Sequence, residues 1–429
     1  MVRLGDETQV DAVYPRLSPP RPHPALIEVA AGRGLSTITD PLLMVRSAFE
    51  HGMTGLLLNE VEQTDQAWRR PALGLLRARQ ASVVAWHQRL WGGLESIVAL
   101  LDNIDVEVAV AKGIAAEARW YSRLGDRPCS DLDLLISPAD FERLDDIVAV
   151  VEPSHPLCGK ARRLAERGFL LSIDLVHEGV PIDLHWDILK LGVDSRNRHL
   201  IWERTVEFPL PNKGTTRALD AESSYIHFLV HLNKDRFRRL LGFVDAARIY
   251  DRGQLDGDAV DRLIRNDGLE ISAHASWNTV VDTLGLAARP RRVKPGIRAA
   301  VWHVAWRPSV RLRGAQSKGR FRHRESLIAV LIPGRTLEAA RLWFRRRFPP
   351  AEMLIYMYSP YARRWGDAPV STGRQSRTAA VTWQRVKGAW FARRRVVAKS
   401  TERKRRKLRR PLARLVDINR MLLAHRDSA

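Results

Sequence analysis

Cysteine is scarce in this chain of 429 residues, which contains only Cys129 and Cys158. Two thiols do not make a multi-disulfide scaffold or a thiolate zinc site, and their scarcity fits a reducing cytoplasm. Long apolar runs are also missing, since none reaches the ~18 residues that a membrane span needs. The N-terminal 20 residues contain no apolar stretch typical of a signal peptide. We therefore expect a cytoplasmic protein without a transmembrane segment.

Acidic residues are outnumbered by basic ones, 48 against 70, which gives a formal net charge of +22. Residues 370–429 contain 18 Lys or Arg and only 3 Asp or Glu, so this segment carries most of the excess. Trp383, Trp390 and Phe391 lie among these basic residues, a composition that suits nucleic acid. The apolar positions of 412–422 equally suit an amphipathic helix on an anionic membrane surface, and a solvated extension is a further alternative.

The N-terminal part of the chain shows helical periodicity. After a Pro-rich leader, apolar residues between Ala25 and Leu101 recur at spacings of three, four and seven. Pro71 suits the first turn of the clearest helix in this region. The period then changes to two in segment 105–112, DVEVAVAK, which predicts a strand that Gly113 ends.

Strands and helices then alternate. Segment 130–136, SDLDLLI, predicts a second strand, and Pro138 opens a helix. Segment 169–186 predicts a β-hairpin whose turn lies at Glu178-Gly179. Helices return after Asp220, a plausible N-cap, and residues 221–250 predict one long helix.

This order predicts an α+β fold with a small mixed sheet. We expect a helical N-terminal region with a loose leader at 1–101 and a core at 102–210. A helical C-terminal domain at 211–365 and a basic tail at 366–429, partly helical or disordered, complete the prediction.

Aspartates recur on one face of the predicted strands. Side chains alternate along a strand, so Asp131 and Asp133 point the same way, while the leucines between and after them point into the core. Asp183 has the same placement on the second strand of the hairpin, and it joins the other two if the strands are neighbours. Three carboxylates at close range need a cation, and hard oxygen ligands suit Mg²⁺. A chance D-x-D on a wet strand face is the alternative.

The turn after the first strand adds a second element to this pattern. Gly113 lets a phosphate approach backbone N–H groups, and Lys112 adds a positive charge. Asp174 on the first hairpin strand competes with Asp183 as the third carboxylate. His185 shares the face of Asp183, where it is either an aid to proton transfer or a hydrogen-bonded structural histidine.

The predicted long helix carries polar side chains at helical spacing: His227, His231, Lys234, Arg238 and Asp245. They either line a cleft, where they contact phosphates or the acceptor, or form an ordinary solvent face. A zinc site at the two histidines is disfavoured because no Glu follows the first of them, as H-E-x-x-H requires.

The sequence resembles the bacterial uncharacterised nucleotidyltransferase-like family of the DNA-polymerase-β-like superfamily. The matching segments are AKGIAAEARWY, RPCSDLDLLISPADFERL and PIDLHWDIL, within roughly residues 25–365. The resemblance implies a polymerase-β-like palm and Mg²⁺-dependent transfer of a nucleoside monophosphate from an NTP, by a two-ion site. It implies Asp131, Asp133 and Asp183 as catalytic metal ligands, and Gly113 and Ser130 as triphosphate-binding residues.

We also expect Lys112 and Arg238 to bind the triphosphate through their positive charges. The acceptor is open among a small molecule, a sugar, a peptide, a protein and RNA, and no motif identifies the base of the NTP. The superfamily usually has Gly-Ser or Gly-Gly at the first turn, whereas Lys112-Gly113-Ile114 supplies one glycine. The alternative hypothesis is therefore a non-catalytic scaffold that binds RNA or DNA through its basic tail.

Overall fold

The structure of the chain is a computed structural model. It describes residues 22–35, 38, 40–64, 69–189, 195–212, 214–235 and 237–287, with the single residues 337, 341, 350, 352, 353 and 356. All of these belong to a unit comprising residues 1–365, and residues 366–429 form a second unit. The predicted basic tail, with its nucleic-acid or membrane contacts, lies outside the described residues. None of the described helices has the length and apolarity to span a bilayer.

The described elements form a six-stranded sheet and a set of helices around it. The helices are α1 (Pro24–Ala30), α2 (Pro41–His51), α3 (Thr54–Glu62), α4 (Arg69–Asp102), α5 (Ile114–Trp120), a 3₁₀ helix (Pro138–Arg143), α6 (Leu144–Val151), α7 (Ala161–Glu166), α8 (Arg198–Glu203), α9 (Ala221–Asp235), α10 (Leu240–Arg252), α11 (Gly257–Asp267) and α12 (Glu270–Leu284). The strands are β1 (Val108–Val110), β2 (Leu132–Ile136), β3 (Ser172–His177), β4 (Val180–His185), β5 (Val206–Pro209) and β6 (Thr215–Ala218).

Helix α4 joins two hydrophobic cores. Its 34 residues extend for about 50 Å at the usual rise of an α-helix. Leu76, near its start, belongs to a core that α1, α2 and α3 share with α9 to α12. Leu90 and Leu94, further along, belong to the core beneath the sheet. The helix predicted from the apolar spacing of this segment is confirmed, and it connects the helical layer to the sheet.

The sheet has the strand order β3-β4-β2-β1-β6-β5. β2 pairs with β4 and β1 with β6 in parallel, whereas the other neighbours are antiparallel. A mixed sheet with flanking helices confirms the predicted α+β class. β5 and β6 are absent from the predicted strands, because VEFP and TTRA are short and lack a clear apolar alternation.

The predicted β-hairpin is confirmed as β3 and β4. Glu178 and Gly179, which connect the two strands, have φ angles of 50° and 78°. Two consecutive residues with positive φ are typical of the type I′ turn, which matches the twist of the flanking strands. The turn fixes the register, and Asp174 on β3 therefore pairs with Asp183 on β4.

The single helix predicted over residues 221–250 is wrong, because the chain forms two helices there. α9 ends at Asp235 and α10 begins at Leu240. Phe237 lies between them with a φ of 54° and a fully buried ring. Burial of this ring in the helical core outweighs the local preference for a continuous helix. Asp220 does cap α9 as predicted, since its Oδ1 accepts a 2.8 Å hydrogen bond from the N–H of Ser223.

Candidate active site

The parallel pairing of β2 with β4 brings two of the three predicted carboxylates together, whereas Asp131 is not part of that close group. Asp133 on β2 is the direct register partner of Asp183 on β4. Asp174 approaches from β3 as the partner of Asp183 on its other side. The hydroxyl of Tyr356 donates to Asp174 Oδ2 over 3.5 Å, which engages that carboxylate at the outer strand. Asp183 therefore lies between two acids, Asp174 on β3 and Asp133 on β2.

Asp133, Asp183 and His185 each offer one ligand atom within 4.8 Å of the others. His185 Nε2 lies 3.2 Å from Asp133 Oδ1 and 3.4 Å from Asp183 Oδ2. The imidazole is fully buried, and its Nδ1 has no hydrogen-bond partner among the described residues. A proton on Nε2 lets His185 donate to Asp133, and the ring also lies beside Asp183, so the histidine helps to orient the two acids.

Asp131 precedes β2 and is half-buried. Its Oδ1 accepts a 3.1 Å hydrogen bond from the hydroxyl of the exposed Ser130. Burial and the neighbouring Asp133 raise the pKa of Asp131 to about 7. An aspartate that shares its electrostatic environment with a second acid in this way is a natural ligand for a cation.

Lys112 lies against the acids rather than on the surface. Its Nζ is 2.9 Å from Asp133 Oδ1, and the two side chains are 15% and 2% exposed. Burial opposes both charges, but the ion pair outweighs it. The carboxylates of Asp133, Asp131 and Asp183 hold the pKa of Lys112 above its ordinary value. Lys112 and His185 hold the pKa of Asp133 well below its usual range.

Gly113 forms the turn between β1 and α5 in a conformation that other residues rarely adopt. Its φ is 59° and its ψ is −118°. A β-carbon at this position would lie 3.4 Å from the carbonyl oxygen of Asp131 and 3.8 Å from Asp133 Oδ2. The absence of a side chain at this position lets other groups approach the backbone of the turn beside the acids.

A line of polar contacts leads from the acids to the break between α9 and α10. Nζ of Lys112 lies 3.4 Å from His231 Nε2, and His231 Nδ1 lies 3.4 Å from Asp235 Oδ2. Arg238 Nε donates to the carbonyl oxygen of Asp235 over 2.9 Å. The helix break thus brings Arg238 to the end of a line that begins at Asp133.

The polar residues predicted to share one helix face are divided by that break. His227 and His231 lie on α9, where their rings stack with centroids 6.0 Å apart. Burial lowers the pKa of His231 to about 3, so this imidazole is neutral at physiological pH. His227 and Asp245 are both buried, which excludes an ordinary solvent face for these two residues.

A buried ion pair supports the Gly113 turn, and sequence reasoning missed it. Arg127 Nε and Nη2 lie 2.8 Å and 3.0 Å from the two carboxylate oxygens of Asp245 on α10. Tyr121 donates to the same carboxylate over 2.6 Å. Arg127 Nη1 donates to the carbonyl oxygen of Gly113 over 3.2 Å. The second helix after the sheet therefore holds the turn in front of the acids.

A second buried network holds the segment that leads to Ser130. His87 Nδ1 lies 2.6 Å from Glu117 Oε2, and the N–H of Cys129 donates to His87 Nε2 over 3.2 Å. Glu117 Oε1 accepts from the N–H groups of Gly125 and Arg127 over 2.7 Å and 3.1 Å. Burial raises the pKa of the Cys129 thiol well above its ordinary value, so the thiol serves as packing beside His87.

The residues present fit a hard divalent cation. Aspartate oxygens are the ligands that Mg²⁺ and Mn²⁺ prefer, and two of them converge at Asp133 and Asp183. A metal-bound histidine usually donates its second N–H to an acceptor, and His185 Nδ1 has none in the described part of the chain. The carboxylates therefore offer oxygen atoms of the kind that such an ion prefers, and His185 hydrogen-bonds to Asp133 beside them.

The comparison with known families agrees with this geometry. The family described as uncharacterised nucleotidyltransferase matches residues 39–285, which are more than half of the chain and include β1 to β6 and α9 to α12. No curated protein matches the chain. The chain belongs to the uncharacterised nucleotidyltransferase family.

Proposed function

We propose that the chain transfers a nucleoside monophosphate from an NTP to an acceptor hydroxyl. The observation that carries the proposal is the register of Asp133 with Asp183 on parallel strands, beside a turn whose glycine adds no side chain in front of the backbone. Phosphoryl and nucleotidyl transfer depend on charge neutralisation and alignment more than on a special side chain. A carboxylate cluster beside a glycine turn supplies those two requirements.

The carboxylates have distinct roles in this proposal. Asp131 and Asp133 hold Mg²⁺ together with the triphosphate, and Asp183 lies next to the attacking hydroxyl. The ion supplies Lewis acidity to the phosphoryl oxygens. The acceptor oxygen forms a bond to the α-phosphorus, and the bond from that phosphorus to the oxygen bridging to the β-phosphate breaks. Pyrophosphate leaves, and Asp183 accepts the proton of the hydroxyl.

The cationic residues around the turn support triphosphate binding. Lys112 directly precedes Gly113, and Arg238 lies in the break between α9 and α10. Arg239 is a further cation here: burial lowers its pKa, and the charges of Asp235 and Asp131 oppose that effect. We propose that Gly113 and the exposed hydroxyl of Ser130 complete the phosphate site.

Transfer of label from α-³²P-NTPs tests the proposal. The full chain is incubated with each of the four NTPs, Mg²⁺ and fractionated cell extract, and labelled products are separated by size and class. We expect label on one acceptor class, and loss of it in Asp183→Asn and Asp131→Asn. Asp146→Asn, an exposed aspartate of α6, is the matched control and should retain transfer. Transfer that persists in both site variants would refute the proposed chemistry.

A further inference from the structure

Lys112 carries a charge that the protein encloses and holds in place. The N–H of Ala111 donates to the carbonyl oxygen of Asp133 over 2.9 Å, so the chain at the end of β1 lies alongside β2. The ammonium then reaches Asp133 Oδ1 on one side and His231 Nε2 on the other, at 2.9 Å and 3.4 Å. Because His231 Nδ1 faces Asp235, its Nε2 is the acceptor and Lys112 is the donor.

The Asp133 oxygen that contacts Lys112 already has two internal partners. Lys112 and His185 both lie within 3.2 Å of Oδ1. The second oxygen, Oδ2, lies on the side of Gly113, 3.8 Å from the position that a β-carbon there would take. One oxygen of the carboxylate is therefore bound to the protein's own cation, and the other lies towards the Gly113 turn.

Charge balance gives the same division. With all three aspartates ionised and Lys112 protonated, the cluster has a formal charge of about −2, which one divalent ion neutralises. A two-ion site has its ions about 4 Å apart and bridged by shared carboxylates. In this chain the ammonium of Lys112 contacts the central carboxylate, Asp133. Its positive charge there neutralises the acids, as a second ion does in a two-ion site.

We propose that Lys112 takes the place of a second metal ion, so that the site binds one divalent cation per chain. The role of Lys112 in the reaction rests on the proposed function, whereas the number of ions that the site binds does not. In that reaction the ammonium is shared between Asp133 and the phosphates of the NTP, as a second ion would be. Lys112 thus determines how many divalent ions the site binds.

Counting bound Mn²⁺ tests the inference without nucleotide or acceptor. The full chain is titrated with Mn²⁺, and the free ion is followed by its electron paramagnetic resonance signal. The variants are Lys112→Met, which keeps the length and removes the charge, and Lys112→Arg, which keeps the charge. Lys160→Met removes an exposed charge as the matched control, and Asp131→Asn identifies the counted ion as the one at this site.

We expect one Mn²⁺ per chain in the wild type, in Lys112→Arg and in Lys160→Met, and a weakened site in Asp131→Asn. Lys112→Met should bind a second Mn²⁺, or bind the first one roughly tenfold or more tightly, because a nearby positive charge is removed. A wild type that binds two ions or none would overturn the inference, even if Lys112→Met does not fold. Unchanged count and affinity in a folded Lys112→Met would overturn it as well. One bound ion without any nucleotide transfer would refute the transferase and leave the role of Lys112 standing.

Discussion

The ion pair between Arg127 and Asp245 makes a demanding prediction about stability. Asp245→Asn preserves the shape of the side chain and removes its charge. Arg127 then stays buried, with its Nε and Nη2 facing an uncharged amide where they had carboxylate oxygens at 2.8 Å and 3.0 Å. Tyr121 also loses its charged acceptor. The perturbation is therefore an uncompensated buried guanidinium, not merely a weaker hydrogen bond.

The expected loss follows from the burial of both partners, whose side chains are 8% and 3% exposed. Breaking a buried pair by removing one charge typically lowers the free energy of unfolding by about 3–5 kcal/mol. Folded domains have about 5–15 kcal/mol in total, so the variant should lose a large part of its stability. Replacing both partners with apolar residues, as in Arg127→Met with Asp245→Leu, should restore most of it, because no charge is left buried.

Urea unfolding followed by tryptophan fluorescence measures these differences. Asp251→Asn, an exposed aspartate of the same helix, is the matched control and should change stability by less than about 0.5 kcal/mol. A loss below about 1 kcal/mol in Asp245→Asn would refute the reasoning, since surface-like pairs contribute that little. A double variant no more stable than the single one would refute the assignment of the loss to the orphaned guanidinium.

Three further predictions concern other parts of the fold. Gly113→Ala should lower the free energy of unfolding by about 1–3 kcal/mol through its positive φ and should weaken Mn²⁺ binding, whereas unchanged melting and binding would contradict the account of the turn. Gly93→Ala should destabilise the chain by about 1–3 kcal/mol in urea, because a β-carbon there would lie 2.7 Å from a side-chain atom of β4. Gly92→Ala, with open space around it, should instead stabilise the helix, and equal effects of the two would argue against this packing. Burial raises the pKa of Glu152 to about 7 and lowers that of His155 to about 4, from ordinary values of 4.5 and 6.5. Ionisation of Glu152 therefore lowers the free energy of unfolding as pH rises from 4.5 to 7. Protonation of His155 lowers it as pH falls from 6.5 to 4. Glu152→Gln should keep the pH dependence due to His155 and lose the one due to Glu152. The melting temperature of this variant should therefore fall more steeply than that of the wild type between pH 6.5 and 4.5. Parallel curves for the two proteins would contradict the assignment.

The parts of the fold that the sequence predicted are those with strong local signals. The long helix α4 has apolar residues at helical spacing, and the β3–β4 hairpin has a glycine, Gly179, at a turn position with positive φ. The alternation of Asp133 with leucines places this acid on one face of β2 from the sequence alone. The meeting with Asp183 depended on strand order, which the sequence left conditional.

The parts that were missed depend on contacts between distant segments. Phe237 breaks the predicted long helix because its ring is buried in a core made by the first and last described helices. No local signal marks this position, since apolar spacing continues on both sides. Arg127 and Asp245 are 118 residues apart, and their pairing follows only from the packed arrangement of β1, α5 and α10. The dipeptide Arg127-Pro128 therefore predicted a turn, but it did not predict the buried ion pair.

We propose that the carboxylates of Asp131, Asp133 and Asp183 together form one binding site for a divalent ion. Anomalous diffraction from crystals of the full chain soaked in Mn²⁺ tests it most directly. The account predicts an anomalous peak in front of Gly113, about 2.0–2.6 Å from carboxylate oxygens of Asp131 and Asp133 and close to Asp183. Crystals with no peak at this position, or with peaks only at other carboxylates, would contradict it.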